Sequence, residues 1–79
     1  MWYVYIIRSS SAPEHRYIGI TSDPAGRLQK HNSGGSYHTS KFMPWDIETI
    51  IGFGTKEKAM AFEHYLKSGS GSAFASKHF

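Results

Sequence analysis

The segment Trp2-Tyr3-Val4-Tyr5-Ile6-Ile7 is an unbroken run of aromatic and β-branched side chains. No polar residue relieves it at period two, so it reads as a strand covered on both faces. A chain of 79 residues must then supply a layer for each side of a sheet from what remains. At this size only roughly 60% of the unfolded surface is buried, so the core is marginal. There is no cysteine, hence no disulfide or zinc-thiolate staple and no sign of an oxidising compartment. Stability must come from apolar burial, to which two Trp, five Tyr and five Phe contribute most.

The remaining chain divides at its turn residues. Ser9 to Pro13 is turn chemistry, and Tyr17 to Thr21 reads as the antiparallel partner of the first strand. Alternation puts Tyr3, Tyr5 and Ile7 on one face of the first strand, and Tyr17, Gly19 and Thr21 on one face of the second. Asp23-Pro24 opens a helix, aspartate as N-cap and proline at the first position, running to about Asn32 and ended by Gly34-Gly35. Ser33 to Met43 is small, polar and basic and is expected to be a mobile surface loop closed by Pro44-Trp45. Ile47 to Phe53 is expected as the third strand. Thr55 caps a helix from about Lys56 to Lys67, which Ser68-Gly69-Ser70-Gly71 breaks before a short final helix over Ala73 to Lys77. The expectation is one α+β (α/β) domain over residues 1–79: a small, mostly antiparallel three-stranded sheet flanked by helices, order β-β-α-β-α plus a short C-terminal helix.

A formal charge of +3 permits an anionic partner without demanding one. The first residues lack a positive leader region, and their apolar run is too short to span a membrane. A cytoplasmic location and no membrane partner are the expectation.

Glu63 stands out. On the second helix Ala59, Phe62 and Leu66 form an apolar stripe, and Glu63 falls within that sector. A carboxylate there must be paired, turn out to solvent, or serve a metal ion or a cation such as Arg27. Arg27 and His31 form an i, i+4 pair that does nothing for helix stability and suits a shared anionic target. Two exposed polar residues are the plain alternative. Tyr5 and Tyr17 are either core aromatics or phenols at a rim, and Gly19 beside Tyr17 marks close approach by a backbone or a ligand. No Ser-His-Asp or Cys-His arrangement has supporting context, and the five histidines are scattered. Too few acidic residues are uncommitted for a two-metal site, so one metal is the limit.

Taken together these residues resemble the GIY-YIG nuclease superfamily over nearly the whole chain. Tyr3-Val4-Tyr5 stands at the first half of the signature and Tyr17-Ile18-Gly19 is the second half. Arg27 follows Tyr17 by ten residues, where the family places an arginine; His31 sits one turn later, and Glu63 looks like the single metal-binding glutamate. Within the superfamily the chain looks like small stand-alone bacterial proteins similar to the amino-terminal domain of the repair nuclease UvrC. It departs from the pattern at Ala73-Phe74-Ala75-Ser76, where many members carry an asparagine, and at Ile20, where a basic residue often stands.

The resemblance implies a metal-dependent, structure-selective endonuclease acting on DNA phosphodiesters in repair or recombination, using one Mg²⁺ or Mn²⁺ held by Glu63. Tyr5, Tyr17, Arg27, His31 and Glu63 are the implied catalytic set. Tyr17 would take the proton of the attacking water, with His31 as a relay; a free phenol titrates near ~10 and needs a cation beside it for that task. Arg27 would stabilise the phosphorane charge, and Tyr5 would orient water or phosphate. Gly19, Lys30, Tyr37, His38, Lys41 and Lys67 are the expected nucleic-acid contacts, gripping phosphates without reading sequence. A protein partner supplying specificity and a monomer or weak dimer complete the expectation. The rival is a non-catalytic nucleic-acid-binding module with the same fold; a protein-interaction domain ranks third.

Overall fold

The computed structural model describes residues 1–79. Three strands, β1 (Trp2–Ser9), β2 (Arg16–Thr21) and β3 (Trp45–Phe53), form one sheet in the order β2-β1-β3, antiparallel throughout. The strand with the unbroken apolar run is therefore the central one. Helices α1 (Pro24–Asn32), α2 (Lys56–Leu66) and α3 (Gly69–His78) complete the chain.

Each side of the sheet has its own layer. Val4 and Ile6 of β1 join Ala59 and Leu66 of α2 and Ala75 of α3, with Ile18, Ile20, Phe53 and Phe62 packed around them. Tyr5 and Ile7 face the other way, onto Trp45, with Tyr17, Leu28, Phe42 and Ile47 at the edges. The period-two reading of β1 thus holds, and the register pairs Tyr5 with Gly19 and Ile7 with Tyr17. Each fully buried aliphatic side chain contributes about 1.5–3 kcal/mol, so Val4, Ile6, Ile7 and Leu66 are most of what keeps this small domain folded.

Local signals explain the helix limits. The Asp23 side chain accepts from the Gly26 amide, Pro24 follows at the first position, and Gly34 at φ 80° turns the chain away after Ser33. Thr55 accepts from the Lys58 amide at the start of α2.

Three expectations need correction. The segment Ser68-Gly69-Ser70-Gly71 does not merely break α2. Ser68 caps α3 by accepting from the Gly71 amide, so the helix begins at Gly69, well before Ala73. A Cβ on Gly71 would run into the Tyr65 carbonyl, so glycine there permits a tight α2–α3 crossing rather than a turn. Second, β3 starts at Trp45, not Ile47. The Asn32 side chain donates to the Trp45 carbonyl at 2.9 Å and accepts from the Trp45 amide, extending the strand's bonding to the end of α1. Third, residues 33–43 are not all surface loop. They include a 3₁₀ turn at Ser40–Phe42, and Thr39 is buried against the sheet.

A bulge on β3 places Thr49 opposite Ile6 and Ile47 opposite Ile7, leaving Glu48 as the extra residue. Glu48 is thereby aimed at both Arg8 and Arg16. Burial alone would raise its carboxyl; the hydrogen bonds and charges of Arg16 and Arg8 outweigh that and hold it below its ordinary value.

Candidate active site

The α1 side of the sheet collects two phenol rings around one imidazole. Tyr5 and Tyr17 lie on neighbouring strands with ring centroids 6.2 Å apart, and His31 of α1 is 5.9 Å from Tyr5 and 4.9 Å from Tyr17. Gly19 makes this possible. A Cβ there would lie 2.6 Å from the Tyr5 hydroxyl and 2.7 Å from its Cζ. The glycine is buried beneath the Tyr5 ring, so the close approach expected from sequence is made by this phenol. Its place is under Tyr5 rather than on a surface open to a nucleic acid.

His31 is not an exposed helix residue. It is 1% exposed, the one buried side chain of α1, and both ring nitrogens are engaged: Nε2 with the Tyr5 hydroxyl at 2.9 Å, Nδ1 with the Thr39 hydroxyl at 2.7 Å. Burial, and then the charges of Arg27 and Lys30, hold its pKa below 6.5 and keep it neutral. The expected relay from Tyr17 through His31 has no free nitrogen to run through. His31 acts on Tyr5 instead. Thr39 escaped the sequence reading because a threonine in a polar loop carries no local signal of burial. Its carbonyl accepts from the Trp45 indole at 2.8 Å, which fixes it against the core.

The Tyr5 hydroxyl is held firmly protonated: burial raises its pKa, Tyr17 adds to the rise, Arg27 opposes it, and Glu63 raises it further. Tyr17 is half-buried, and its hydroxyl makes no hydrogen bond within the chain and is not enclosed. Arg27 is exposed and pairs with no carboxylate. Its guanidinium fork is thus available to an external anion.

Glu63 lies at the edge of the α2 stripe with its side chain 24% exposed, and its partner is Lys67 at 3.3 Å rather than Arg27. Such an i, i+4 pair is worth only a few tenths of a kcal/mol and yields easily to another cation. No group of three or more His, Asp or Glu side chains converges to form a closed metal cage. One accessible carboxylate does fit Mg²⁺ or Mn²⁺ bound mainly through water and substrate phosphate oxygens.

Of the expected phosphate contacts, Lys30 ends α1 and is exposed, as are Lys41 on the 3₁₀ turn and the adjacent Tyr37 and His38. All four belong to the elements covering the Tyr5 face of the sheet. Lys67 belongs to α2 and is occupied with Glu63. The cavity of about 330 Å³ in the molecule lies elsewhere, at the Arg8 end of β1, where Arg8 bonds Glu48 and Ser10 bonds Asp46. The charged groups of that cavity pair with one another, whereas Arg27, four residues before His31 on α1, is exposed and unpaired.

Known proteins resemble this chain over most of its length. The family described as the GIY-YIG catalytic domain matches residues 1–77. The structure-specific endonuclease subunit SLX1 of Debaryomyces hansenii is 41% identical over 71 residues, covering 81% of this chain and 20% of that protein. The Candida dubliniensis protein of the same name is 41% identical over 71 residues, 81% of this chain and 25% of its own. The SLX1 homolog of Giardia intestinalis is 38% identical over 66 residues, 78% of this chain and 18% of its own. The chain thus spans about a fifth of the length of these relatives. They are eukaryotic proteins, and they lend no support to the bacterial subgrouping expected from sequence.

Proposed function

From the premise that this chain belongs to the GIY-YIG catalytic-domain family, we propose that it hydrolyses DNA phosphodiesters as a metal-dependent, structure-selective endonuclease serving repair or recombination. The observation that carries this reading is Tyr17, its hydroxyl without a partner in the chain, packed beside the Tyr5–His31 pair, while α1 presents the exposed, unpaired Arg27 one turn before His31.

Each residue has a task that its surroundings support. Arg27 holds the scissile phosphate in its planar fork and offsets the charge that develops on the phosphorus oxygens. Tyr17 is the base that takes the proton of the attacking water while the new oxygen–phosphorus bond forms and the bond from phosphorus to the leaving sugar oxygen breaks, that oxygen taking a proton from solvent. Tyr5 stays protonated and hydrogen-bonds within the cleft; His31 positions it and does not touch substrate. Glu63 would hold one Mg²⁺ or Mn²⁺, which when bound neutralises charge on the leaving oxygen. Lys30 and Lys41, with Tyr37 and His38, track the flanking backbone by charge and stacking, without reading sequence. The relatives bear the name of a subunit; for this chain we infer a protein partner that contributes selectivity.

The test is a cleavage panel of duplex, flap, branched and single-stranded DNA, with and without Mg²⁺ or Mn²⁺, run beside Glu63→Ala. The expected outcome is metal-dependent nicking that prefers a branched substrate and is absent in the variant. Undiminished cleavage by Glu63→Ala would sink the assignment. DNA binding that falls steeply with salt, with no cleavage of any substrate, would favour the non-catalytic binding module. The apolar Ala73-Phe74-Ala75 of α3, with Ala75 buried where family members carry a polar amide nearby, is the feature that motivates that second reading.

A further inference from the structure

We infer that Thr39 is a positioning residue, fixing the His31 tautomer so that Tyr5 presents only acceptor lone pairs to the cleft. The inference rests on the proposed cleavage reading for its functional consequence, but not for its geometry. Thr39 is 2% exposed, and its hydroxyl has two partners: His31 Nδ1 at 2.7 Å and the Ser36 carbonyl at 3.4 Å. A carbonyl can only accept, so in that contact the Thr39 hydroxyl donates to Ser36, as a third and longer bond beside the Thr39 and Ser40 amides at 3.2 and 3.0 Å. Its oxygen is then left to accept from His31, which places the imidazole proton on Nδ1. Nε2 becomes a lone pair, and the Tyr5 hydroxyl donates to it across 2.9 Å.

The opposite tautomer makes fewer bonds. With the proton on Nε2, the Tyr5 oxygen accepts, the Thr39 hydroxyl must turn to Nδ1 and abandon Ser36, and the phenol proton has only water from outside the chain to accept it. Among buried groups, the arrangement that satisfies every donor is favoured. The Thr39 backbone is also fixed, from outside the loop by the Trp45 indole, which donates to its carbonyl, and within the loop by its amide, which donates to the Ser36 carbonyl at 3.2 Å. The Thr39 oxygen is thus held in place against the imidazole.

The consequence is a sharper role for Tyr5. A phenol whose O–H is engaged with Nε2 has no proton left to donate to a phosphate oxygen, which is itself acceptor-only. It can accept from water. Tyr5 would therefore orient the attacking water, with Arg27 left to bind the phosphate. The same geometry ties the segment carrying Tyr37, His38 and Lys41 to the reacting face, because Thr39 lies between them.

The experiment reads the tautomer by long-range ¹H–¹⁵N correlation of the histidine rings, with His31 assigned by its absence in His31→Gln. The expected wild-type result is protonated Nδ1 and unprotonated Nε2. Thr39→Val, which keeps shape but removes the hydroxyl, should move the proton to Nε2 or mix the two forms, and Thr39→Ser should restore the wild-type pattern. Thr39→Ala serves as a second deletion where packing of valine disturbs the fold. With wild-type activity in hand, Thr39→Val should lower kcat by about 10- to 100-fold with KM little changed, the range for removing the outer partner of a functional imidazole. An Nε2 proton in the wild type overturns the inference, as does an unchanged tautomer in folded Thr39→Val or Thr39→Ala. A shifted tautomer with unchanged kcat overturns the positioning role. A wild type that cleaves nothing refutes the proposed activity but leaves the tautomer result standing.

Discussion

Alternate residues of one strand serve two different layers. Val4 and Ile6 point from β1 into an apolar cluster with Ala59, Leu66 and Ala75. Tyr5, between them in sequence, points the opposite way into a layer where apolar contacts share space with an imidazole and the Thr39 hydroxyl. The first layer is limited by volume: only close packing matters, and a lost methylene is felt directly. The second is limited by hydrogen-bond accounting, because each buried polar group must keep its partner or cost about 1–3 kcal/mol. A small domain with a marginal core gains from this separation. Stability and chemistry share a strand but not a set of side chains.

The largest test of that separation is on the polar side. Arg27→Ala should lower cleavage by ~10²–10³-fold, while thermal or urea denaturation shows a stability change within ~0.5 kcal/mol, since Arg27 is exposed and unpaired. Arg27→Lys should recover only part of the rate, because an ammonium lacks the planar fork. Ile6→Ala is the converse. Urea denaturation should show a loss of ~2–5 kcal/mol, with cleavage per folded molecule unchanged. If instead it lowers the specific rate as strongly as Arg27→Ala does, the two faces are not separable.

Gly19→Ala should blur the boundary deliberately. The added methyl meets the Tyr5 ring at 2.6–2.9 Å, so about 1–3 kcal/mol of stability and the cleavage rate should be lost together. Normal activity in this variant would show that the Tyr5 position does not matter.

The smallest effect expected is in acid. Folded His31 titrates below 6.5, so under that pH the unfolded chain binds a proton that the folded one refuses. Stability then falls as pH drops from 6.5 toward the folded pKa, by at most ~1.4 kcal/mol per pH unit. Glu48 has a depressed carboxyl pKa, so its contribution is present above its ordinary value of 4.5 and is lost only in stronger acid. His31→Gln should remove the first fall in a pH series of urea midpoints and leave the second. An unaltered series would mean that the buried imidazole is not held neutral.

Much of this was legible before any coordinates. The alternation of β1 and β2, the Asp23-Pro24 start of α1 and the Thr55 cap of α2 are local signals, and each held. The approach near Gly19 was also foreseen, though not what would fill it. What escaped notice depends on distant residues. Gly69-Ser70-Gly71 has the composition of a breaker, and only the Tyr65 carbonyl above it explains why glycine there belongs to a helix. Thr39 and His31 look polar and exposed in sequence, and they are buried because each satisfies the other. A propensity argument sees one residue and its neighbours, whereas a buried polar pair exists only once the chain has folded.

The central claim is that the rim around Tyr5 and Tyr17, completed by Arg27 of α1 and by Glu63 from the edge of α2, is a metal-dependent phosphodiester-cleaving site. Single-turnover cleavage of a labelled branched DNA with Mg²⁺, measured for the wild type and Tyr17→Phe beside their thermal midpoints, tests it most directly. The account expects Mg²⁺-dependent nicking by the wild type and none detectable from Tyr17→Phe, at nearly equal midpoints. A Tyr17→Phe protein that cleaves at the wild-type rate would contradict it.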